Sequence, residues 1–508
     1  MFSHIESFLL RQAECWLPKP VKPAWDSVRA SLLGKRLVRG VFWTMTGALL
    51  SRSMSFVTGV LVARMLGREG VGELGIIQST IGMFGVMAGF GIGTTATKYV
   101  AEYRMRDPEK AGRILGLTGL FALGSGAVMG LALALAANWL AIHSLNAPHL
   151  AGLLRVSALL LLFSAMNGAQ AGALAGFEAF RTIASRNLGA ALLTLPVLIA
   201  GVYYAGVKGA IIALIIGQII NLVFNHIAIN YECKKNHIRV NYTNAISEKE
   251  ILLGFSLPVF LSPATSSLVN WLINALLVKQ ANGYEQLGIY TVGVTVSGIL
   301  SMLTGFMITP LFSLMNNNNS KKLNDLNVYL PNIISAFIAI TIVAFPEVYE
   351  LIYGKNFSGK EFRFLVLIII ISTNFSIFRS SASRILMVKN KSNVMFYNSL
   401  TCNAINFVAF NFLFLSMGAI GLALSGLLSG ILSTIIIWGY VYHKKMQHFN
   451  IYHLINFILV LTLITLVGVI NGSNSFIIIR LLTYVISIII IVYFCLIYFI
   501  KNNITLVK

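Results

Sequence analysis

Residues 40–93 read GVFWTMTGALLSRSMSFVTGVLVARMLGREGVGELGIIQSTIGMFGVMAGFGIG. Two apolar runs, 40–63 and 71–93, flank the short segment Arg64-Met65-Leu66-Gly67, which predicts a tight turn. Each run exceeds the roughly 20 residues that a helix needs to cross the hydrocarbon core of a bilayer. The stretch therefore predicts a pair of membrane helices. Arg52 falls near the middle of the first one, where inserting a guanidinium costs about 2.5–3.5 kcal/mol, so the folded protein must offset that cost.

The composition extends this prediction to the whole chain. Of its 508 residues 57% are hydrophobic and 11% are charged, whereas soluble domains carry about 25% charged residues. We therefore predict an all-α polytopic membrane protein that contacts membrane lipid. The net charge of +21 would indicate nucleic acid in a soluble protein. Here the basic residues lie in short loops between apolar runs, as membrane topology requires, so we expect no nucleic-acid partner.

Apolar runs along the chain predict about fourteen transmembrane helices, at 40–63, 71–93, 113–137, 151–175, 187–205, 208–229, 251–278, 286–313, 328–350, 362–388, 394–415, 419–441, 454–471 and 476–500. Alternate loops, starting with the N-terminal segment, hold most of the 38 Lys and Arg residues. Loops rich in Lys and Arg stay in the cytoplasm. Both termini are therefore predicted to be cytoplasmic.

An internal repeat predicts how the helices are grouped. The segment 73–76 (ELGI) recurs as 286–289 (QLGI), and 206–210 (GVKGA) recurs as 418–422 (GAIGL), at nearly equal displacements and at the starts of equivalent helices. A duplicated six-helix unit enters the membrane twice from the same side, which predicts two six-helix lobes related by a pseudo-two-fold axis along the membrane normal. The predicted divisions are a basic cytoplasmic arm at 1–39, an N-lobe at 40–229, a linker at 230–250, a C-lobe at 251–441 and two extra C-terminal helices at 454–500.

The connections hold no room for a catalytic domain. Every predicted external loop is short, and so are the largest internal loops, 94–112 and 230–250. The sequence also lacks a nucleophile and base pattern and a metal-ligand spacing, so we predict a protein that is not an enzyme and uses no cofactor and no metal. Two glycine series with a spacing of four, one from Gly85 to Gly93 and one from Gly168 to Gly176, predict close helix packing.

Several short motifs are similar to those of one family of transporters. They are 61–67 (LVARMLG), 70–75, 89–93 (GFGIG), 98–102 (KYVAE), Ser256-Leu257-Pro258 and 352–357 (IYGKNF). Over about residues 36–500 the chain resembles the Wzx-type O-antigen flippases, the polysaccharide branch of the multidrug/oligosaccharidyl-lipid/polysaccharide exporter superfamily. The resemblance implies a flippase that moves a polyprenyl-diphosphate-linked oligosaccharide across the bacterial inner membrane by alternating access. Such a protein would serve O-antigen (lipopolysaccharide), capsule or exopolysaccharide biosynthesis, alongside other membrane proteins of polysaccharide assembly.

The charges inside the predicted helices favour the same substrate type. None of the 17 acidic residues lies deep in a predicted helix, and the embedded charges are all basic: Arg52, Arg155, Arg379, Arg384 and Arg480. Arginine binds phosphate through paired, charge-assisted hydrogen bonds. The central position of Arg52 makes it the first candidate for substrate binding, followed by Arg379 and Arg384. Arg155 and Arg480 lie near helix starts, from which they can reach the membrane surface.

The predicted helix 251–278 supplies a polar stripe. Its members recur every four residues and share one face; they are Ser262, Ser266, Asn270 and Asn274. They are candidates for binding sugar hydroxyls, and hydrogen bonds between helices are an equally good interpretation. Pro258 and Pro263 are expected to kink this helix.

Three other functions compete with this interpretation. A multidrug/cation antiporter of the same superfamily should carry an intramembrane carboxylate, and the sequence shows none. A lipid II flippase of peptidoglycan synthesis also has fourteen helices and a cationic cavity, although no arginine lies within 251–313 to match that branch. A membrane-embedded glycan polymerase would be expected to carry a large external loop.

Overall fold

The computed structural model describes residues 32–248, 257–317, 321–389, 391–446, 451–472, 482–487 and 489–490. These residues form helices joined by short turns, with no strand among them. The helices are α1 Leu32–Gly89, α2 Ile92–Tyr103, α3 Pro108–Trp139, α4 Ala151–Gly176, α5 Phe180–Lys235, α6 Leu257–Val278, α7 Gly283–Asn317, α8 Lys321–Ala344, α9 Pro346–Tyr353, α10 Lys360–Val388, α11 Ser392–Ala409, α12 Gly418–His443 and α13 Ile451–Gly472.

Nine helices in the described ranges are long and apolar enough to cross a membrane. Their outer faces carry bulky apolar side chains; on α3 these are Leu120, Leu123, Val128, Leu131 and Leu135, all more than 40% exposed. A continuous apolar face of this kind belongs against lipid rather than water. The predicted all-α polytopic membrane fold is confirmed.

Two of the nine helices are each bent into two arms, and each is more than 50 residues long. The helix α1 bends at Gly67 (φ 69°, ψ −171°), and α5 bends at Gly206 (φ 54°, ψ −132°). Residues with a side chain rarely adopt such positive φ values, which glycine adopts at little cost. The two arms therefore meet at Gly67 in α1 and at Ala205-Gly206 in α5, where the sequence predicts a turn at 64–67 and a break between 205 and 208.

The structure corrects several predicted boundaries. The predicted loop 94–112 contains the helix α2, whose start follows Gly91. The predicted helix 328–350 ends at Ala344, because Pro346 begins the separate short helix α9. The helix α1 begins at Leu32, inside the predicted arm, and α5 continues to Lys235, inside the predicted linker. Arg480 and most of the predicted helix 476–500 lie outside the described residues.

Alternating chain direction gives the bundle two ends, which we name by one residue each. The Gly67 end holds Gly67, Gly206 and the turns at 140–150, 279–282, 354–359 and 410–417. The Arg104 end holds the turns at 104–107, 177–179, 236–248 and 389–391. There Arg104 donates a hydrogen bond to the carbonyl oxygen of Phe177 and forms a 2.7 Å ion pair with Glu178, while Asp107 caps α3 by accepting a hydrogen bond from the backbone N–H of Lys110.

Helix ends and bends recur along the chain at a nearly constant spacing. The helices α4 and α10 end at Gly176 and Val388, which are 212 positions apart, and α5 and α11 begin at Phe180 and Ser392, again 212 apart. Gly206 and Gly418 share this spacing and both have positive φ. We therefore keep the two-lobe division as a proposal, with α1–α5 as the N-lobe and α6–α12 as the C-lobe.

The two copies of the repeated segment contact each other at the Gly67 end. A Cβ on Gly72 would lie 1.9 Å from the carbonyl oxygen of Tyr284, and a Cβ on Gly288 would lie 1.9 Å from that of Arg68. Only glycine permits this approach, so the second arm of α1 and the start of α7 pack backbone against backbone.

Candidate functional site

Arg52 lies on the first arm of α1, fifteen residues before the bend at Gly67, and its side chain is exposed. One terminal nitrogen of its guanidinium lies 3.9 Å from the position that a Cβ on Gly305 of α7 would take. The side chain is thus directed toward the C-lobe. In the described part of the chain no hydrogen bond or ion pair to Arg52 is formed, so its five N–H donors are available to a ligand.

Arg379 and Arg384 lie on α10 in different surroundings. Arg384 is 5% exposed, and its Nε, Nη1 and Nη2 donate to Asn327, Ser380 and Ser381 at 2.5–2.9 Å. These contacts favour a role in joining α8 to α10. Arg379 is half-buried and donates from Nη1 alone, to Cys402 Sγ at 3.1 Å and to Ser433 Oγ at 3.0 Å. Its other nitrogens form no hydrogen bond within the described ranges.

The predicted stripe on α6 is divided between two neighbours. Ser266 accepts a 2.9 Å hydrogen bond from Asn403 of α11, and Asn274 donates a 3.0 Å hydrogen bond to Ser79 of α1. These two residues therefore bind other helices. Asn270 is exposed and Ser262 is half-buried, and neither side chain forms a hydrogen bond with a described residue. The stripe thus leaves two of its four members available.

A cavity of about 700 Å³ lies beside α6 at the Arg104 end. It is lined by the second arms of α1 and α5 together with α2, α4 and α6, and a volume of this size falls in the roughly 300–1,000 Å³ range of ligand pockets. The wall is mostly apolar or glycine, with polar groups at Gln78, Thr94, Ser164 and Gln218. Gly85, Gly89 and Gly168 line it, and so does Gly93, which also packs backbone against backbone with Gly172. The glycine series thus serves both the predicted packing and a cavity wall.

Gln218 connects this cavity to a polar cluster that the sequence analysis missed. Asn167 donates to Gln218 Oε1 at 2.7 Å, Asn225 donates to Asn167 Oδ1 at 3.0 Å, and Arg186 donates to Asn225 Oδ1. The predicted helix 187–205 begins one residue too late to include Arg186. Because α5 begins at Phe180, Arg186 lies almost two turns inside the helix.

The Gly67 end is closed by hydrogen bonds from two arginines on either side of the bend. Arg64 donates to the carbonyl oxygens of Leu351 and Ile352, the latter at 2.6 Å, and Arg68 donates to that of Asn356. The last carbonyls of a helix lack partners within it, so α9 offers natural acceptors to a cation. We call Arg64, Arg68 and their three acceptors the clasp.

The chain segment that carries the clasp acceptors is itself held in place. Glu350 accepts two hydrogen bonds from Arg363, at 2.8 and 2.7 Å, and one from the backbone N–H of Gly359 at 3.1 Å. Tyr353 beside them is 2% exposed, and burial raises the pKa of its phenol above the ordinary value, so it stays protonated. Tyr284 adds a further contact at this end by donating a 2.9 Å hydrogen bond to the carbonyl oxygen of Leu145.

Comparison with known proteins identifies the family. Residues 37–316, more than half of the chain, match the family described as "Polysaccharide biosynthesis protein". The chain belongs to the polysaccharide biosynthesis protein family. The match covers α1 to α7, and with them Arg52, the cavity and the α6 stripe, whereas Arg379 and Arg384 lie beyond it.

Part of the chain is also similar to two curated proteins that are named flippases. The lipid III flippases of Escherichia coli (strain K12) and Shigella flexneri are 29% identical over 142 residues, which is 28% of this chain and 34% of theirs. The match therefore spans about a third of the length of these curated relatives.

Solved structures extend the likeness to the whole bundle. The lipid II flippase MurJ in an inward closed conformation aligns with a TM-score of 0.66 at 16% identity, over 90% of this chain and 98% of that one. An inward-facing multidrug resistance MATE family transporter of the MOP superfamily aligns with a TM-score of 0.58 at 16% identity, over 80% and 100%. At these identities the likeness shows the fold. This member of the polysaccharide biosynthesis protein family has the fold of the MOP superfamily, and the resemblance found in the sequence is confirmed.

Proposed function

We propose that this protein is a flippase that moves a polyprenyl-diphosphate-linked oligosaccharide from the cytoplasmic to the periplasmic leaflet of the bacterial inner membrane, for O-antigen, capsule or exopolysaccharide synthesis. The observation that carries the proposal is Arg52, a cation in the middle of a membrane arm, directed toward the opposite lobe and without a partner among the described residues. Such a charge is costly in hydrocarbon and marks a path for an anion. A diphosphate would supply the missing counter-charge.

The two ends of the bundle support transport by alternating access. The clasp and the contact between Gly72 and Tyr284 close the Gly67 end, while the cavity of about 700 Å³ lies toward the Arg104 end. With the Arg104 end placed in the cytoplasm, as the loop charges predict, the cavity would receive the substrate from the cytoplasmic side. The sugars would be recognised by Gln78, Gln218 and the available stripe members Ser262 and Asn270.

Similar proteins agree with a lipid-linked substrate. The curated relatives are named lipid III flippases, and one structural neighbour is named a lipid II flippase. The family description, polysaccharide biosynthesis, favours an oligosaccharide cargo for this chain. A glycan polymerase would instead require catalytic groups, and purified protein in liposomes should neither cleave nor extend a lipid-linked glycan.

Replacement of Arg52 tests the proposal. In a strain whose surface glycan depends on this protein, R52A should abolish surface glycan, and R52K, which keeps the charge but lacks the planar fork, should retain part of it. The matched control is R155A, because Arg155 is also an exposed arginine of a membrane helix without a hydrogen bond in the described ranges. Membrane levels of each variant are measured alongside. Parental export by R52A at a normal protein level would contradict the proposal that this cation binds the substrate.

A further inference from the structure

The N-lobe contains a cluster of one arginine and two asparagines. Arg186 on the first arm of α5 donates from Nη1 to Asn225 Oδ1, and Asn225 donates to Asn167 Oδ1 of α4 at 3.0 Å. We call these three residues the N-cluster. The N-cluster continues through Gln218 to the cavity, since Asn167 also donates to Gln218 Oε1 at 2.7 Å.

The C-lobe contains a corresponding cluster of one arginine, one asparagine and one serine. Arg379 on α10 donates to Ser433 Oγ of α12 at 3.0 Å, and Asn398 of α11 donates to the same oxygen at 2.9 Å. We call these residues the C-cluster. The buried Oδ1 of Asn398 has no hydrogen-bond partner within the described part of the chain.

The two clusters occupy equivalent positions in the repeat. With the spacing of 212 given by the helix ends, Asn167 corresponds to Arg379 and Arg186 corresponds to Asn398. The arginine and the asparagine have therefore exchanged helices between the lobes. The third member is Asn225 in the N-lobe and Ser433 in the C-lobe, each on the last membrane arm of its lobe. The separation of these two residues differs from 212 by four residues, which is about one helical turn. Each lobe thus has one arginine at this level, but on a different helix. If the arginine served only to link two particular helices, it would be expected at the same position in both lobes.

Each of these arginines leaves part of its guanidinium available. Arg186 uses Nε, bonded to the carbonyl oxygen of Thr182, and Nη1, whereas Arg379 uses Nη1 alone. The Nη2 group of each has no acceptor among the described residues, and both side chains are half-buried. Arg384 differs, because all three of its nitrogens are bonded. A guanidinium held by its own lobe through one or two nitrogens presents its remaining Nη2 N–H groups in a fixed orientation, which suits a phosphate oxygen.

We propose that the N-cluster and the C-cluster are a pair of phosphate-binding positions, one in each lobe, in which Arg186 and Arg379 bind the diphosphate of a lipid-linked substrate. The inference rests on the proposed function. In addition to Arg52, the substrate would contact one further arginine from each lobe, and the clusters that contain these two arginines occupy equivalent positions in the repeat. The substrate head group would then keep a cationic partner on both lobes while the lobes move relative to each other.

Binding of farnesyl diphosphate to the purified full-length protein in detergent tests this assignment. R186N and R379N should each weaken binding roughly tenfold, as expected for loss of a hydrogen-bonded charge, and more strongly at low salt than at high salt. The control variant R155N, which alters an exposed arginine outside both clusters, should bind like the parent. Inorganic diphosphate and farnesol, added as competitors, should displace the probe poorly.

Relocation of the arginine provides a second measurement that does not depend on the stability of the single variants. In N167R/R186N the N-cluster regains its guanidinium from α4, which is the arrangement that the C-cluster has naturally, and binding should return most of the way to the parental affinity. R379N/N398R is the reciprocal variant, with the same expectation. Melting temperatures are recorded for every variant, and R186K replaces R186N if the latter unfolds, with weaker binding expected because the planar fork is lost.

Different outcomes separate this inference from the proposed function. Parental affinity in folded R186N and R379N, with weakened binding in R52A, would overturn the paired positions and leave the flippase proposal intact. Failure of the parent protein to bind farnesyl diphosphate would overturn both. Equal displacement of the probe by inorganic diphosphate would overturn the assignment of these positions to a lipid-linked ligand.

Discussion

Removing the clasp should open the Gly67 end of the bundle. In the closed arrangement Arg64 contributes two hydrogen bonds to α9 carbonyls and Arg68 contributes one to the following turn. Each bond crosses from the N-lobe to the C-lobe, and in an opened state water would replace it. The double variant R64A/R68A removes all three without altering the backbone at Gly67.

The size of the effect follows from the number and exposure of these bonds. A hydrogen bond contributes about 0.5–1.5 kcal/mol net, and the exposed position of Arg64 argues against the larger values found for buried charged groups. Three bonds at about 1 kcal/mol each give about 3 kcal/mol. Since about 1.4 kcal/mol corresponds to a factor of ten, the ratio of open to closed protein should rise roughly 100-fold.

Spin labels on either side of the clasp can measure this shift. Cysteines at the exposed positions Glu69 and Lys355, in a background without the four native cysteines, place one label on each lobe. Distance distributions from double electron–electron resonance should show one short distance for the parent and an added longer population for R64A/R68A. The control K360A removes an exposed cation of the same end that forms no bond to α1 in the described ranges. Identical distributions for R64A/R68A, K360A and the parent would refute the view that these bonds hold the end closed.

Three further predictions concern stability, packing and orientation. R384M should lower the melting temperature by removing about 3 kcal/mol of hydrogen bonding to Asn327 and its neighbours, whereas R52M should leave it unchanged; equal melting temperatures would contradict the structural role. G288A should impair export, because its Cβ would meet the carbonyl oxygen of Arg68 at 1.9 Å, while G298A on the same helix, with open space around it, should be tolerated; equal export by both would refute the close approach. Reporter fusions after Lys235 should behave as cytoplasmic and fusions within 354–360 as periplasmic, and the reverse result would invert the proposed orientation.

Hydrophobic runs predicted the membrane helices because a bilayer selects for length and apolar content. The ends of the apolar runs also predicted the turn at Gly67 and the break before 208. The hydropathy rule failed at α2, which is a twelve-residue helix too short for a hydropathy window, although its buried residues Ile92, Ala96 and Val100 recur at helical spacing. It also failed at Arg186, because an apolar run marks where the hydrocarbon begins and not where the helix begins.

The roles of individual polar residues were less predictable from the sequence. Arg379 and Arg384 are five residues apart on one helix, and only the position of Asn327 on α8 distinguishes the fully bonded side chain from the partly available one. The regular spacing of the α6 stripe likewise gave no sign that Ser266 and Asn274 hydrogen-bond to different helices. Such partners are distant in the sequence, and a single chain read alone does not reveal them.

The bend at Gly206 determines where this protein can accept foreign sequence. Gly201 and Gly209 lie on opposite arms of α5, and a Cβ on Gly209 would be 1.8 Å from the carbonyl oxygen of Gly201. An epitope or fluorescent protein inserted at Gly206 would separate these two backbones, because they are in contact close to the bend. The four residues of the turn at 279–282 are all exposed, so the same insertion there would mainly lengthen a connection, at a modest cost in loop-closure entropy. Tags therefore belong at 279–282 and not at the glycine bends.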